Sequence, residues 1–210
     1  MQAPAKPSKR LANPLALAVL VLLFERPMHP YEMAATLKER EKDKSIKLNY
    51  GSLYTVIEQL LREGFISAGE TVREGKRPEK TVYHLTAAGS AEMDSWLREL
   101  VAQPVKEYPR FETALSLLPA LPPEVVLPLL QERVGHLQTL IDANQADAAR
   151  CAAMNLPRLF QIEGEYQLTL LRAELGFVEE LATTIRERSL GGLDFWEGWH
   201  AERKARESAS

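Results

Sequence analysis

Side chains able to hydrogen-bond to a polar ligand are concentrated between residues 47 and 59. Hydroxyl and amide groups both donate and accept hydrogen bonds, which is the chemistry that reads the edges of nucleic-acid bases. The candidates in this segment are Lys47, Asn49, Tyr50, Ser52, Tyr54, Thr55 and Gln59. A second set, Lys76, Arg77 and Lys80, carries positive charge of the kind that neutralises phosphate. Each residue alone could be an ordinary surface residue, so the prediction depends on the sets as a whole.

Catalytic and metal-binding patterns find little support in this chain. The four histidines, His29, His84, His136 and His200, have no partner at i+4, and Cys151 has no second thiol for a metal. The sequence contains neither a glycine-rich phosphate loop nor a G-x-S-x-G nucleophile motif. We therefore predict no enzyme activity, no catalytic residues, no metal site and no cofactor.

The net charge of the chain conceals an asymmetry. Over 210 residues, 26 Lys+Arg against 29 Asp+Glu give −3. Residues 1–80 contain 14 basic and 10 acidic residues, or +4, so residues 81–210 carry −7. A basic front and an acidic back are expected to face different partners.

The elements that position these side chains follow from apolar periodicity. Asn13 and Pro14 start a nearly all-apolar helix to Glu25, and Pro30 starts a second helix to about Arg40. A third helix carries a stripe at i, i+3, i+4, i+7 and i+8 and ends at Gly64. A hairpin follows, with strands at residues 65–72 and 81–85, and Thr86 caps a fourth helix to about Val101. The stripe of the third helix consists of Leu53, Val56, Ile57, Leu60 and Leu61.

Three short helices followed by a hairpin predict a winged helix-turn-helix. In that arrangement the second helix crosses the phosphate backbone and the third enters the major groove. The polar side chains of the third helix then face bases, and the basic turn of the hairpin lies beside phosphates. The sequence thus predicts double-stranded DNA as a partner.

Four motifs, in order and at the expected spacing, resemble the PadR-type bacterial transcriptional regulators over residues 13 to about 100. The resemblance implies an N-terminal winged helix, a helical C-terminal dimerisation region, and repression that a small effector relieves in several members. Tyr31 resembles a family position that touches phosphate, although packing of the second helix on the third explains it equally well. The motifs are His29-Pro30-Tyr31-Glu32-Met33, Gly51-Ser52-Leu53-Tyr54 with Ile57-Glu58-Gln59-Leu60, Glu63-Gly64-Phe65-Ile66 and Tyr83-His84-Leu85-Thr86-Ala87-Ala88-Gly89.

The back half predicts long antiparallel helices, from about Glu124 to Ala153 and from about Arg158 to Glu187. We expect the second to bury a stripe including Leu170, Phe177, Leu181 and Ile185, and to turn a further apolar set outward. Such a wide apolar surface predicts a homodimer. Trp96 and Leu97, on the fourth helix, are candidates for the dimer interface or for an effector pocket; the interface candidates from the back half are Leu170, Phe177 and Leu181. The outward set is Leu168, Leu171, Leu175 and Val178.

The fold class predicted is mainly α with a small β-hairpin. The predicted domains are a flexible segment 1–12, a winged helix 13–101, a dimerisation domain 102–190 and a tail 191–210 that either packs or frays. The apolar run at residues 15–24 is too short to span a bilayer and lacks a cleavage site, so we predict a cytoplasmic protein without membrane contact. A different class, a protein-interaction adaptor that uses the winged helix without DNA, stays open.

Overall fold

The computed structural model describes residues 13–47, 49–72 and 80–209. The chain divides into two compact units, Met1–Lys106 and Glu107–Ser210. The described residues are mainly helical, with one two-stranded antiparallel sheet, which confirms the predicted fold class. In this part of the chain no helix is long and apolar enough to cross a membrane, and no cluster of His, Cys, Asp and Glu side chains could hold a metal ion.

The N-terminal unit is built around a helix that is apolar on nearly all sides. Helix α1 spans Pro14–Glu25 as predicted, and the Asn13 side chain accepts a hydrogen bond from the backbone N–H of Leu15. The other elements are α2 (Pro30–Glu39), α3 (Tyr50–Arg62), strands β1 (Ile66–Val72) and β2 (Lys80–Leu85), and α4 (Ala87–Ala102). Helix α1 packs on α3, β2 and α4, while α2 packs on α3 and β1 pairs with β2. A short 3₁₀ turn, Lys42–Lys44, connects α2 to α3. Helix α1 therefore lies at the centre of the apolar core of this unit, to which it contributes more buried side chains than any other element.

Helix α3 joins the core along its predicted stripe. Leu53, Val56, Ile57 and Leu60 are buried, and burying each such side chain stabilises the fold by roughly 1.5–3 kcal/mol. The helix ends at Arg62, Gly64 just beyond it has a φ of 73°, and the backbone N–H of Phe65 donates to the carbonyl of Leu60. This glycine-ended C-cap turns the chain directly into β1.

The start of α4 is locked against the start of β1. The Thr86 hydroxyl donates to the carbonyl of Gly64 at 2.8 Å and accepts from the backbone N–H of Gly89 at 3.0 Å. A Cβ at Gly89 would lie 2.0 Å from the carbonyl oxygen of Phe65, so only glycine allows this approach. The strands pair antiparallel from Ile66 opposite Leu85, with an irregularity in the register between Ala68 and Thr71.

The C-terminal unit is an antiparallel helical pair with a third helix packed on it. After α5 (Arg110–Ser116), the long α6 (Pro123–Ala153) and α7 (Ile162–Arg186) run side by side. Contacts such as Arg133 with Glu174 and Asn144 with Gln167 show the antiparallel direction, because the residue number rises on one helix as it falls on the other. Short 3₁₀ turns occur at Leu118–Ala120 and Arg158–Phe160.

The C-terminal segment packs rather than frays. Helix α8 spans Leu193–Ser208, and its Leu193 and Trp196 side chains are buried in the core of the C-terminal unit. The indole Nε1 of Trp196 donates to the carbonyl of Leu121 at 2.8 Å, and His200 Nε2 lies 2.8 Å from the carbonyl of Pro119. The alternative left open by the sequence is thus decided in favour of packing.

The predicted inner and outer faces of the second long helix were wrong over most of its length. Val178 is fully buried and Leu171 and Leu175 pack on the core, whereas Leu170 and Phe177 are about half exposed. The predicted stripe from residue 162 to residue 185 uses mostly four-residue steps, so it rotates by about 140° around a helix with 3.6 residues per turn. Its two ends therefore face different sides, and only the later part, Leu181 and Ile185, reaches the core.

Candidate nucleic-acid interface

Both helices of the helix-turn-helix begin at side-chain caps. The imidazole Nδ1 of His29 accepts from the backbone N–H of Tyr31 at 3.1 Å, and the Glu32 carboxylate accepts from the backbone N–H of His29 at 2.9 Å. The Oδ1 of Asn49 accepts from the backbone N–H of Ser52 at 2.7 Å. Because these caps satisfy N–H groups that have no partner within the helix, they fix where the first side chains of α2 and α3 lie.

An ion pair joins the end of α2 to the end of α1. Arg40 donates to both carboxylate oxygens of Glu25, at 2.5 and 2.7 Å. The hydrogen bond from Arg40 is the main cause that lowers the pKa of Glu25 below its ordinary value of 4.5. In the same way, the hydrogen bond from the His29 backbone, aided by Arg26, lowers the pKa of Glu32. These acids are therefore charged partners that hold α2 in position.

The predicted base-reading residues surround the solvent side of α3. Tyr54 is 48% exposed, so its ring is not part of the core, and Thr55 is exposed with its hydroxyl donating to the carbonyl of Gly51 at 3.0 Å. Ser52 and Gln59 are half-buried on the flank of the helix away from Tyr54, since five residues turn α3 by about 140° between Tyr54 and Gln59. The set therefore spreads around the outward side of α3 instead of following one narrow line.

Residues that precede α3 are also at the surface. Lys47 and Asn49 are exposed, but the Asn49 amide oxygen is already engaged as the N-cap of α3. This capping role was missed from the sequence, although an Asn just before an amphipathic helix is the usual signal for it.

Three side chains from α2 and α3 form a cluster that the sequence did not reveal. The rings of Tyr31 and Tyr50 are stacked, with 6.3 Å between their centroids and 20° between their planes. The Nζ of Lys38 lies 5.4 Å from the centroid of the Tyr50 ring. Tyr31 is 66% exposed and Tyr50 is 47% exposed. Tyr31 therefore packs on α3, as one prediction had it, and its ring is still accessible for the phosphate contact of the other prediction. We call Tyr31, Lys38 and Tyr50 the tyrosine–lysine cluster.

One acidic residue on α3 was not singled out from the sequence. Glu58 is exposed on the side opposite the buried stripe, between the positions of Tyr54 and Arg62. Counting at 3.6 residues per turn from Leu53 would have placed it there. A carboxylate at this position can accept from a cytosine amino group and repels phosphate.

The basic residues of the hairpin fall mostly outside the described part of the chain. Lys76 and Arg77 lie outside the described residues, and Lys80 is the first residue of β2, opposite Val72. Their contact with phosphate stays a prediction.

The predicted interface residues occupy different environments. Trp96 is half-buried against the core of the N-terminal unit, and Leu97 beside it is 39% exposed. In the C-terminal unit, Leu181 packs on the core, whereas Leu170 and Phe177 lie on the exposed side of α7 at 51% and 49%. This side of α7 continues toward the helix start through Ile162 and Tyr166, which are also exposed. We call Ile162, Tyr166, Leu170 and Phe177 the apolar face of α7.

Comparison with known proteins identifies the N-terminal part of the chain. The sequence model of the Transcriptional regulator PadR-like family matches residues 19–95, from α1 into α4. Over these residues the chain is similar to the PadR-like family. The resemblance predicted from the four motifs is thus confirmed.

A curated PadR protein is also similar in sequence. The Negative transcriptional regulator PadR of Bacillus subtilis is 31% identical over 102 residues, covering 49% of this chain and 54% of that protein. The chain therefore matches about half the length of this relative.

Solved structures extend the likeness to the rest of the fold. Bacillus subtilis PadR in complex with operator DNA has a TM-score of 0.65 at 20% identity, covering 82% of this chain and 99% of that one. The same protein in complex with p-coumaric acid has a TM-score of 0.68 at 20% identity, with 82% and 98% covered. At this level of identity the structures show that the fold is that of PadR proteins.

Proposed function

We propose that this chain is a DNA-binding transcriptional repressor that recognises a palindromic operator as a homodimer. The observation that carries the proposal is α3: its apolar stripe is buried, and its polar and aromatic side chains surround the solvent side in a domain of the PadR-like family. That is what a recognition helix requires, since one side must hold the core while the other meets base edges. The complex of Bacillus subtilis PadR with operator DNA supports the same assignment.

The dimer is proposed from the apolar face of α7. Leu170 and Phe177 are about half exposed although both are large and apolar, and Ile162 and Tyr166 extend the same surface. A contiguous apolar surface of this kind marks an interaction site in a soluble protein. Two subunits would place two α3 helices on one duplex, and this matters because the surplus of +4 on residues 1–80 is small for a single DNA-binding domain.

Selection from a random duplex library tests the proposal. We expect the purified chain to enrich a sequence with two-fold symmetry and to bind it with an affinity that falls steeply as salt rises. Failure to retain any duplex at low salt would instead favour the adaptor function.

Variants of the predicted DNA-binding residues distinguish contacts with phosphates from contacts with base edges. Changing Lys76→Ala with Arg77→Ala should lower the salt slope by about 0.9 for each phosphate that these side chains neutralise, for all duplexes alike. Gln59→Ala should relax the preference at particular base pairs without weakening all sequences equally. If the Lys76→Ala/Arg77→Ala variant kept both its affinity and its salt slope, the basic turn of the hairpin would not contact DNA.

A small effector that releases DNA is part of the proposal. Its support is the complex of Bacillus subtilis PadR with p-coumaric acid. Titrating p-coumaric acid and related aromatic acids into the complex of this chain with its selected duplex tests it. Release at a saturable concentration is the expected result, and no release by any member of the series would remove this class of effector.

A further inference from the structure

Tyr50 lies between two side chains of α2. Tyr31 and Lys38 are seven residues apart, nearly two full turns, so they lie on the same side of that helix and about 10 Å apart along it. Tyr50 is the first residue of α3, and its ring stacks on Tyr31 at 6.3 Å while the Lys38 ammonium lies 5.4 Å from its centre. The Tyr50 ring thus contacts two side chains that lie nearly two turns apart on the same side of α2.

The contacts have the geometry of known attractive interactions. Offset-stacked aromatic rings are favourable at centroid separations of 4.5–7 Å, and a cation within about 6 Å of a ring centroid is attracted by its quadrupole. All three side chains remain exposed, so this cluster is not held together by burial in the core. An exposed aromatic pair with a lysine on the candidate DNA surface offers two hydroxyl donors and one positive charge at a single location. These are groups that proteins use to contact DNA phosphates.

We propose that Lys38 is a positioning residue that holds Tyr50 against Tyr31, so that the tyrosine–lysine cluster meets one stretch of the DNA backbone as a preordered unit. The inference rests on the proposed function, and it adds Lys38, which lies outside the third helix and the wing. Because α2 and α3 are joined at this point by side chains, the cluster also sets the orientation in which α3 presents its outward side. A contact that is already ordered loses less side-chain entropy on binding than one that must form with the DNA.

A double-mutant cycle on the selected duplex distinguishes this unit from independent contacts. The variants are Lys38→Gln, Tyr50→Leu and the two combined, measured against the unaltered chain. If the residues act together, the combined loss of affinity is smaller than the product of the single losses by about two- to five-fold, the size expected for an exposed cation–π contact. Lys38→Arg should restore binding, because a guanidinium also lies favourably over a tyrosine ring. Strictly multiplicative losses, or failure of Lys38→Arg to restore binding, would overturn the proposal.

The matched control is Lys204→Gln on α8, an exposed lysine in the C-terminal unit. It removes the same charge and should leave affinity unchanged. A loss equal to that of Lys38→Gln would show that only net charge matters and would overturn the positioning role.

A measurement without DNA separates this proposal from the proposed function. The ring of Tyr50 should shift the ε-methylene proton resonances of Lys38 upfield, and Tyr50→Leu should abolish the shift. An unshifted Lys38 in the unaltered chain would overturn the cluster even if the protein binds DNA. A shifted Lys38 resonance in a chain that retains no duplex would instead show that the contact between Lys38 and Tyr50 exists. It would also show that the DNA-binding function is wrong, and that the cluster has no role in binding DNA.

Discussion

At the scale of single residues, Asn49 has two roles that substitutions can separate. It caps α3 through Oδ1, and it lies on the predicted DNA surface. Asn49→Ala should lower the free energy of unfolding by about 1 kcal/mol, as the loss of a cap typically does. Asn49→Asp keeps the acceptor and should keep stability, but its charge should weaken DNA binding by repelling phosphate. Urea unfolding and duplex binding of both variants check this. Equal stability of the unaltered chain, Asn49→Ala and Asn49→Asp would show that the Asn49 cap does not stabilise the protein.

The acids that hold α2 predict how stability depends on pH. The pKa of Glu32 is lowered in the folded protein, chiefly by the hydrogen bond from the His29 backbone. Stabilisation by this group is therefore complete above its ordinary value of 4.5 and is lost as the pH falls through the lower, folded value. Thermal melts between about pH 6 and pH 3 should decline less steeply for Glu32→Gln than for the unaltered chain. Identical profiles would show that this carboxylate does not contribute.

At the scale of elements, the junction of β1 and α4 makes a sharp prediction. Gly89→Ala would place a methyl group 2.0 Å from the carbonyl oxygen of Phe65, so the backbone must shift. We expect a loss of about 1–3 kcal/mol in the free energy of unfolding, as in overpacked cores. Calorimetry or urea unfolding measures it.

Gly198→Ala is the matched control for that junction. Gly198 lies within α8 and a Cβ there would meet nothing within 4 Å, so the same change should stabilise by about 0.5–1 kcal/mol through helix propensity. Opposite signs for the two substitutions are the expected result. Equal changes in the free energy of unfolding would mean that the backbone near Phe65 moves away from the added methyl group at no cost.

At the scale of the whole molecule, the apolar face of α7 predicts the state of assembly. We expect a homodimer of twice 23.6 kDa in solution, and Leu170→Asp should produce monomers because it places a charge in an apolar interface. Light scattering after gel filtration measures the mass. Arg172→Gln, on the same helix but outside this face, also changes the charge by −1 and should remain dimeric. If both variants behaved alike, the interface would lie elsewhere.

Much of the N-terminal unit was predictable because its signals are local. The Asn13 cap, the stripe of α3 and the stop at Gly64 each depend on residues within a few positions of one another, and each is found where it was predicted. The polar residues of α3 were predictable as a group for the same reason, since one helix with one apolar stripe leaves its other side to solvent.

The sequence by itself thus determined the helices and strands of the N-terminal unit, the two long helices of the back half, the caps at Asn13 and Thr86, and the PadR-like character of residues 19–95. The tertiary structure decided which side of α7 is buried, that Trp196 ties α8 to Leu121, and that Lys38 and Tyr31 meet Tyr50. Those outcomes depend on packing between elements that are distant along the chain. The spacing of apolar residues shows that a helix has an apolar side. Where two sides are apolar, as in α7, only packing against neighbouring elements decides which side enters the core.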